Sequence, residues 1–142
     1  MMIELIDTHC HLDFPVFDKD RDGVVSAAKA ASVNAFVVPG VVAKDWSRLL
    51  ACCHEYGFFP ALGLHPCFID QHQDADLERL EVLMTSEQVV AVGEIGLDFF
   101  IADLDQSRQI EIFDAQLELA NQFNLPTLLH VRKAHDQVLK LL

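Results

Sequence analysis

The chain has 142 residues, 51% of them hydrophobic, which fits one folded core and argues against a disordered or low-complexity polypeptide. Twenty-two acidic side chains against ten basic ones give a formal net charge of −12, which argues against tracking along a nucleic-acid duplex through a broad basic patch. No apolar run approaches the ~18–20 residues that span a bilayer, and Met1-Met2-Ile3-Glu4 lacks the basic region of a signal peptide, so a soluble cytoplasmic protein without membrane contact is expected.

The expected elements alternate strand, loop and helix. A short apolar strand over Ile3–Asp7 is followed by a helix with an alanine-rich face over Asp18–Ser32. A buried strand over Asn34–Pro39 precedes a helix over Lys44–Tyr56, and a strand over Phe58–Gly63 precedes a helix over about Ala75–Ser86. The fourth pair is a strand over Val89–Glu94 and an amphipathic helix over about Leu104–Phe123, with Ile110, Phe113, Leu117 and Ala120 on one stripe. Pro126–Val131 is the fifth strand, and Ala134–Leu142 begins a fifth helix.

These strands are nearly continuous apolar runs, the mark of parallel strands buried under helices or enclosed in a barrel. Residues 1–142 therefore read as a single α/β domain, the first five βα units of a (β/α)8 TIM barrel, with a smaller open α/β sheet as the competing fold. A complete barrel typically needs about 250 residues. The run Leu139-Lys140-Leu141-Leu142 ends without a glycine cap, so the barrel is expected to be incomplete in these residues.

Four segments at strand ends carry the chemistry. Asp7-Thr8-His9-Cys10-His11 follows the first strand, and residues two apart in extended chain face the same side, so His9 and His11 can aim two imidazoles at one metal. In Gly63-Leu64-His65-Pro66, His65 either donates to substrate or a carboxylate, or is structural. Gly93-Glu94-Ile95-Gly96-Leu97-Asp98 ends the fourth strand, and there Glu94 either bridges metal ions or is salt-bridged within the barrel. In Leu128-Leu129-His130-Val131-Arg132, His130 is either a ligand or a core histidine, and Arg132 holds either a phosphate or a surface carboxylate. Phe99-Phe100 either walls a cleft or packs inward. Cys10, Cys52, Cys53 and Cys67 form no C-x-x-C pair and fit reduced, partly buried thiols.

Taken in order, Ile6-Asp7-Thr8-His9-Cys10-His11-Leu12-Asp13, Gly63-Leu64-His65-Pro66, Val92-Gly93-Glu94-Ile95-Gly96-Leu97-Asp98-Phe99 and Pro126-Thr127-Leu128-Leu129-His130-Val131-Arg132 resemble the TatD family of metal-dependent deoxyribonucleases, within the amidohydrolase-like hydrolases. The Gly-Glu-Ile-Gly-Leu-Asp block is the most specific of these segments.

The resemblance implies a divalent-metal-dependent phosphodiesterase acting on DNA with two divalent ions, Mg, Mn or Zn. His9 and His11 would bind one ion, His130 the other, and Glu94 both. Glu94, His65 and Arg132 would form the catalytic group, the last two near the substrate phosphate. It also implies a histidine after the sixth strand and an aspartate after the seventh, which have no counterpart here, so little activity is expected of these residues alone. The competing expectations are a hydrolase of small esters, lactones or amides on the same scaffold, and a non-catalytic chain that self-associates through its open sheet edges.

Overall fold

A computed structural model describes residues 4–142; Ile3, the expected start of the first strand, lies outside the described residues. Five strands are seen, β1 (Leu5–Asp7), β2 (Val33–Pro39), β3 (Phe59–Leu62), β4 (Ala91–Asp98) and β5 (Thr127–Arg132). Five α-helices alternate with them, α1 (Arg21–Ala30), α2 (Trp46–Tyr56), α3 (Asp74–Ser86), α4 (Gln106–Gln122) and α5 (His135–Leu141).

The strands lie in sequence order, β1-β2-β3-β4-β5, and every neighbouring pair is parallel. Each crossover therefore steps one place in the same direction. Right-handed crossovers then put every helix on one face, which gives a curled α/β half-barrel rather than a sheet covered on both sides.

Local chemistry sets the helix ends. Asp105 accepts the Arg108 backbone N–H at 3.0 Å and starts α4, while Gly57, at φ 70°, lets the chain leave α2 in the left-handed conformation. Gln73 and Asp76 form a capping box at the start of α3. Two expected helices begin late because short 3-10 turns precede them, Pro15–Phe17 before α1 and Ala43–Asp45 before α2.

One correction bears on function. β4 was expected to stop at Glu94, but it continues to Asp98 because Gly96, Leu97 and Asp98 pair with His130, Val131 and Arg132 of β5. A Cβ on Gly96, whose φ is +139°, would collide with the His130 carbonyl, so only glycine lets these two strands approach here.

The core between sheet and helices is built on Trp46, Leu49, Leu62, Leu80, Val92, Ile95, Leu97, Ile112 and Phe113, all buried. The stripe of α4 is partly corrected. Phe113 and Ala120 are buried as expected, Ile110 and Leu117 only partly, and Gln109 and Gln116 are buried too. Apolar side chains remain exposed on both edge strands, Leu5 and Ile6 of β1 and Leu129 of β5. Among the described residues no helix is long and apolar enough to cross a membrane.

Candidate metal centre

The C-terminal ends of the strands meet at Glu94. Its carboxyl sits on β4, shielded from solvent, and the two oxygens face different partners. Oε2 lies 3.0 Å from His9 Nε2 and 3.5 Å from His11 Nε2, both just beyond β1. Oε1 lies 3.4 Å from His65 Nε2, beyond β3, and 3.4 Å from His130 Nδ1 on β5. Four imidazoles from three different strand ends thus surround one buried carboxylate.

Burial by itself would raise the Glu94 pKa. Hydrogen bonds from His11 and His65, with the electrostatic pull of the surrounding imidazoles, outweigh it and hold the carboxyl well below the usual carboxylate range. The group is therefore an anion.

His9, His11 and Glu94 each offer a ligand atom within 4.8 Å of the others, and so do His65, Cys67 and His130. Histidine and carboxylate bonds of about 2.0–2.2 Å to a tetrahedral zinc imply ligand-to-ligand edges of roughly 3.3–3.6 Å. The 3.5 Å separation at Oε2 matches that spacing and the 3.0 Å one falls a few tenths short of it, so the residues present fit a divalent ion after a small shift of His9.

Neighbouring groups fix the rings. His65 Nδ1 accepts the Cys67 backbone N–H at 3.1 Å, which leaves its proton on Nε2, aimed at Glu94. The His65 carbonyl accepts from His72 Nε2 at 2.8 Å, and burial lowers the His72 pKa, keeping that ring neutral. His11 stacks on Phe14 with ring centroids 4.7 Å apart.

The backbone under the site is clamped by two side chains that hydrophobic patterning passed over. The Gln116 amide accepts from Leu64 N at 2.7 Å and donates to Leu64 O at 3.3 Å, beside His65. Gln109 makes the same pair with Asp98, at 2.8 Å and 3.0 Å. Their spacing of seven along α4 is two helical turns, the one signal that could have placed both on the buried face.

Asp98 was read only as part of a motif, yet it is fully buried and heavily bonded. Its Oδ1 accepts from the backbone N–H groups of Phe100 (2.9 Å) and Ile101 (3.3 Å). Its Oδ2 accepts from His130 Nε2 at 2.9 Å and Cys67 Sγ at 3.3 Å. Burial opposes ionisation here, but these bonds prevail and lower the Asp98 pKa. Burial, and then Asp98, push the Cys67 thiol up to about 12, so it is a protonated donor.

Arg132 is exposed, with its guanidinium carbon 3.7 Å from the centroid of the exposed Phe100 ring. Phe99 packs partly against the core. The structure thus brings Glu94, His9, His11, His65 and His130 together and places Arg132 at the rim.

Comparison with known proteins shows a family likeness along nearly the whole chain. The family pattern described as TatD related DNase matches residues 6–142. A metal-dependent hydrolase of uncharacterized function, YjjV of Escherichia coli (strain K12), is 42% identical over 141 residues, covering 97% of this chain and 54% of the relative. The crystal structure of the Escherichia coli YjjV, a TatD homolog, superposes with a TM-score of 0.90 over 94% of this chain and 53% of that one. The 3'-5' ssDNA/RNA exonuclease TatD of Erwinia tasmaniensis is 32% identical, covering 97% of this chain and 54% of the relative. The chain therefore spans about half the length of the curated relatives it matches.

Proposed function

Since the chain belongs to the TatD-related DNase family, we propose that it carries the metal-binding half of a divalent-metal-dependent phosphodiester hydrolase acting on DNA. The observation that supports this most directly is Glu94, a buried carboxylate with two imidazoles facing each oxygen. In this reading residues 1–142 are one partial domain, the first five βα units of a (β/α)8 barrel. The sequential parallel order and the exposed apolar residues on both edge strands favour that over a finished small sheet.

His9, His11 and Glu94 would hold one divalent ion, and His130 with Glu94 would hold a second. Magnesium, manganese and zinc all suit this nitrogen and oxygen donor set to some degree. When bound, the ions supply Lewis-acid neutralisation at the phosphate and lower the pKa of the attacking water. The protein's own groups do the rest. His65, with its proton on Nε2, donates toward the site and orients Glu94 or a phosphate oxygen. Arg132, held over Phe100 at the rim, offers a planar pair of donors to a phosphate oxygen beyond the ions. With a net charge of −12, the ions would supply much of the positive charge at the phosphate, beside Arg132 and the neighbouring Lys133.

Metal-dependent hydrolysis of single- and double-stranded DNA, with an ester, lactone and amide panel in parallel, tests the substrate class. The expected result is chelator-sensitive cleavage of DNA exceeding turnover of every small substrate, weak as it would be from these residues alone. Chelator-sensitive cleavage confined to small esters or amides would favour the small-molecule reading, to which the acidic composition is better suited. Metal binding without turnover, together with a mass that rises with concentration, would favour the self-associating chain.

A further inference from the structure

His130 is the only imidazole of the centre with a carboxylate at each ring nitrogen: Asp98 Oδ2 lies 2.9 Å from Nε2, and Glu94 Oε1 lies 3.4 Å from Nδ1. A neutral ring carries one proton, so it can donate to one of them. The shorter contact, to the fully buried Asp98, takes it. That leaves the Nδ1 lone pair opposite an anionic oxygen, a juxtaposition that is unfavourable unless a cation lies between the two.

We infer that Asp98 is a positioning residue, fixing His130 as its Nε2–H tautomer so that Nδ1 is the atom offered to metal beside Glu94. This rests on the proposal that His130 is a metal ligand.

Asp98 is suited to the task because it cannot swing away. Its other oxygen is tied to the backbone N–H groups of Phe100 and Ile101, and Gln109 grips its own backbone N–H and carbonyl. Cys67 donates to the same oxygen as His130, at 3.3 Å, completing the shell. Both ends of the pair are also held by the strands, since β4 pairs with β5 from Gly96–His130 to Asp98–Arg132. A carboxylate behind a ligating imidazole sets ring orientation and raises ligand basicity.

The same logic separates His65 from His130. His65 already accepts a backbone N–H at Nδ1, so its Nε2 carries the proton and cannot ligate in that state. Two imidazoles equidistant from Glu94 Oε1 therefore divide the work, one as donor and one as ligand.

The test is long-range proton–nitrogen NMR of ring-labelled histidines, at alkaline pH where free imidazoles are neutral. Metal-free protein should show His130 protonated at Nε2, and NMR-active cadmium should couple to Nδ1. Asp98→Asn supplies one carbonyl oxygen where the turn and the ring need two acceptors. It should populate the Nδ1–H form and weaken cadmium affinity about 10–100-fold. Cys67→Ala, which leaves the Asp98–His130 contact in place, should keep the Nε2–H tautomer.

A metal-free His130 in the Nδ1–H form would overturn the role of Asp98 while leaving metal binding by the centre intact. An Nε2–H ring that cadmium never perturbs would overturn the ligand assignment and the inference with it. Unchanged tautomer and affinity in Asp98→Asn would also overturn the inference. Should that variant fail to fold, the wild-type and Cys67→Ala spectra decide.

Discussion

Replacing Glu94 by alanine is expected to weaken divalent-metal binding and phosphodiester hydrolysis together, each by at least about 100-fold. Loss of a group that only supports a metal ligand typically costs 10–100-fold, and a carboxylate shared by two ions should stand at or above that range. The geometry explains why no neighbour can substitute. Among the described residues Glu94 is the only carboxylate paired with His9, His11, His65 and His130 at once; of these four imidazoles Asp98 touches His130 alone. Removal of Glu94 leaves four imidazoles around a vacancy with no carboxylate facing them all. Equilibrium dialysis with zinc or manganese, run beside the DNA cleavage assay, measures both effects. Retention of both metal and activity would sink the assignment of the site.

Trp46→Ala should carry the largest stability cost in the chain, about 3–5 kcal/mol for the truncated ring and about 1 kcal/mol for a lost hydrogen bond. The indole is fully buried and donates from Nε1 to the Gly63 carbonyl at 3.3 Å. It also fills the space beside Gly40, where a Cβ would come within 2.9 Å of the indole nitrogen. Trp46 therefore props the chain just beyond β2 and β3, at Gly40 and at Gly63, two residues before His65. Urea unfolding followed by circular dichroism reads the loss as a lower midpoint at unchanged slope. A cost under about 1 kcal/mol would show that the ring is not integral to the packing.

Much of this was legible in the sequence, and the failures have physical causes. Continuous apolar runs marked each of the five strands, the pattern of parallel strands that need no polar alternation, although only β3 and β4 are largely buried. The imidazoles and Glu94 were found because such residues at the ends of apolar strands have few stable alternatives to a partner. The length of β4 was missed because its last residues, Gly96 to Asp98, look like a turn and become a strand only through pairing with β5. Gln109 and Gln116 were missed because periodicity scores them as surface, whereas each is buried against a backbone amide and carbonyl. Asp98 and Cys67 were invisible as site residues for a different reason. Asp98 touches Nε2 of His130 and the Cys67 backbone N–H touches Nδ1 of His65, and a sequence holds no record of which ring nitrogen faces which neighbour.

The measurement that tests the central claim most directly is anomalous scattering from crystals of the protein grown with zinc or manganese. A peak beside Glu94 Oε2, about 2.0–2.2 Å from the carboxylate and from Nε2 of His9 and His11 for zinc, is the expected result. A crystal with ordered ions elsewhere, and Glu94 still hydrogen-bonded to its imidazoles, would contradict the metal centre described above.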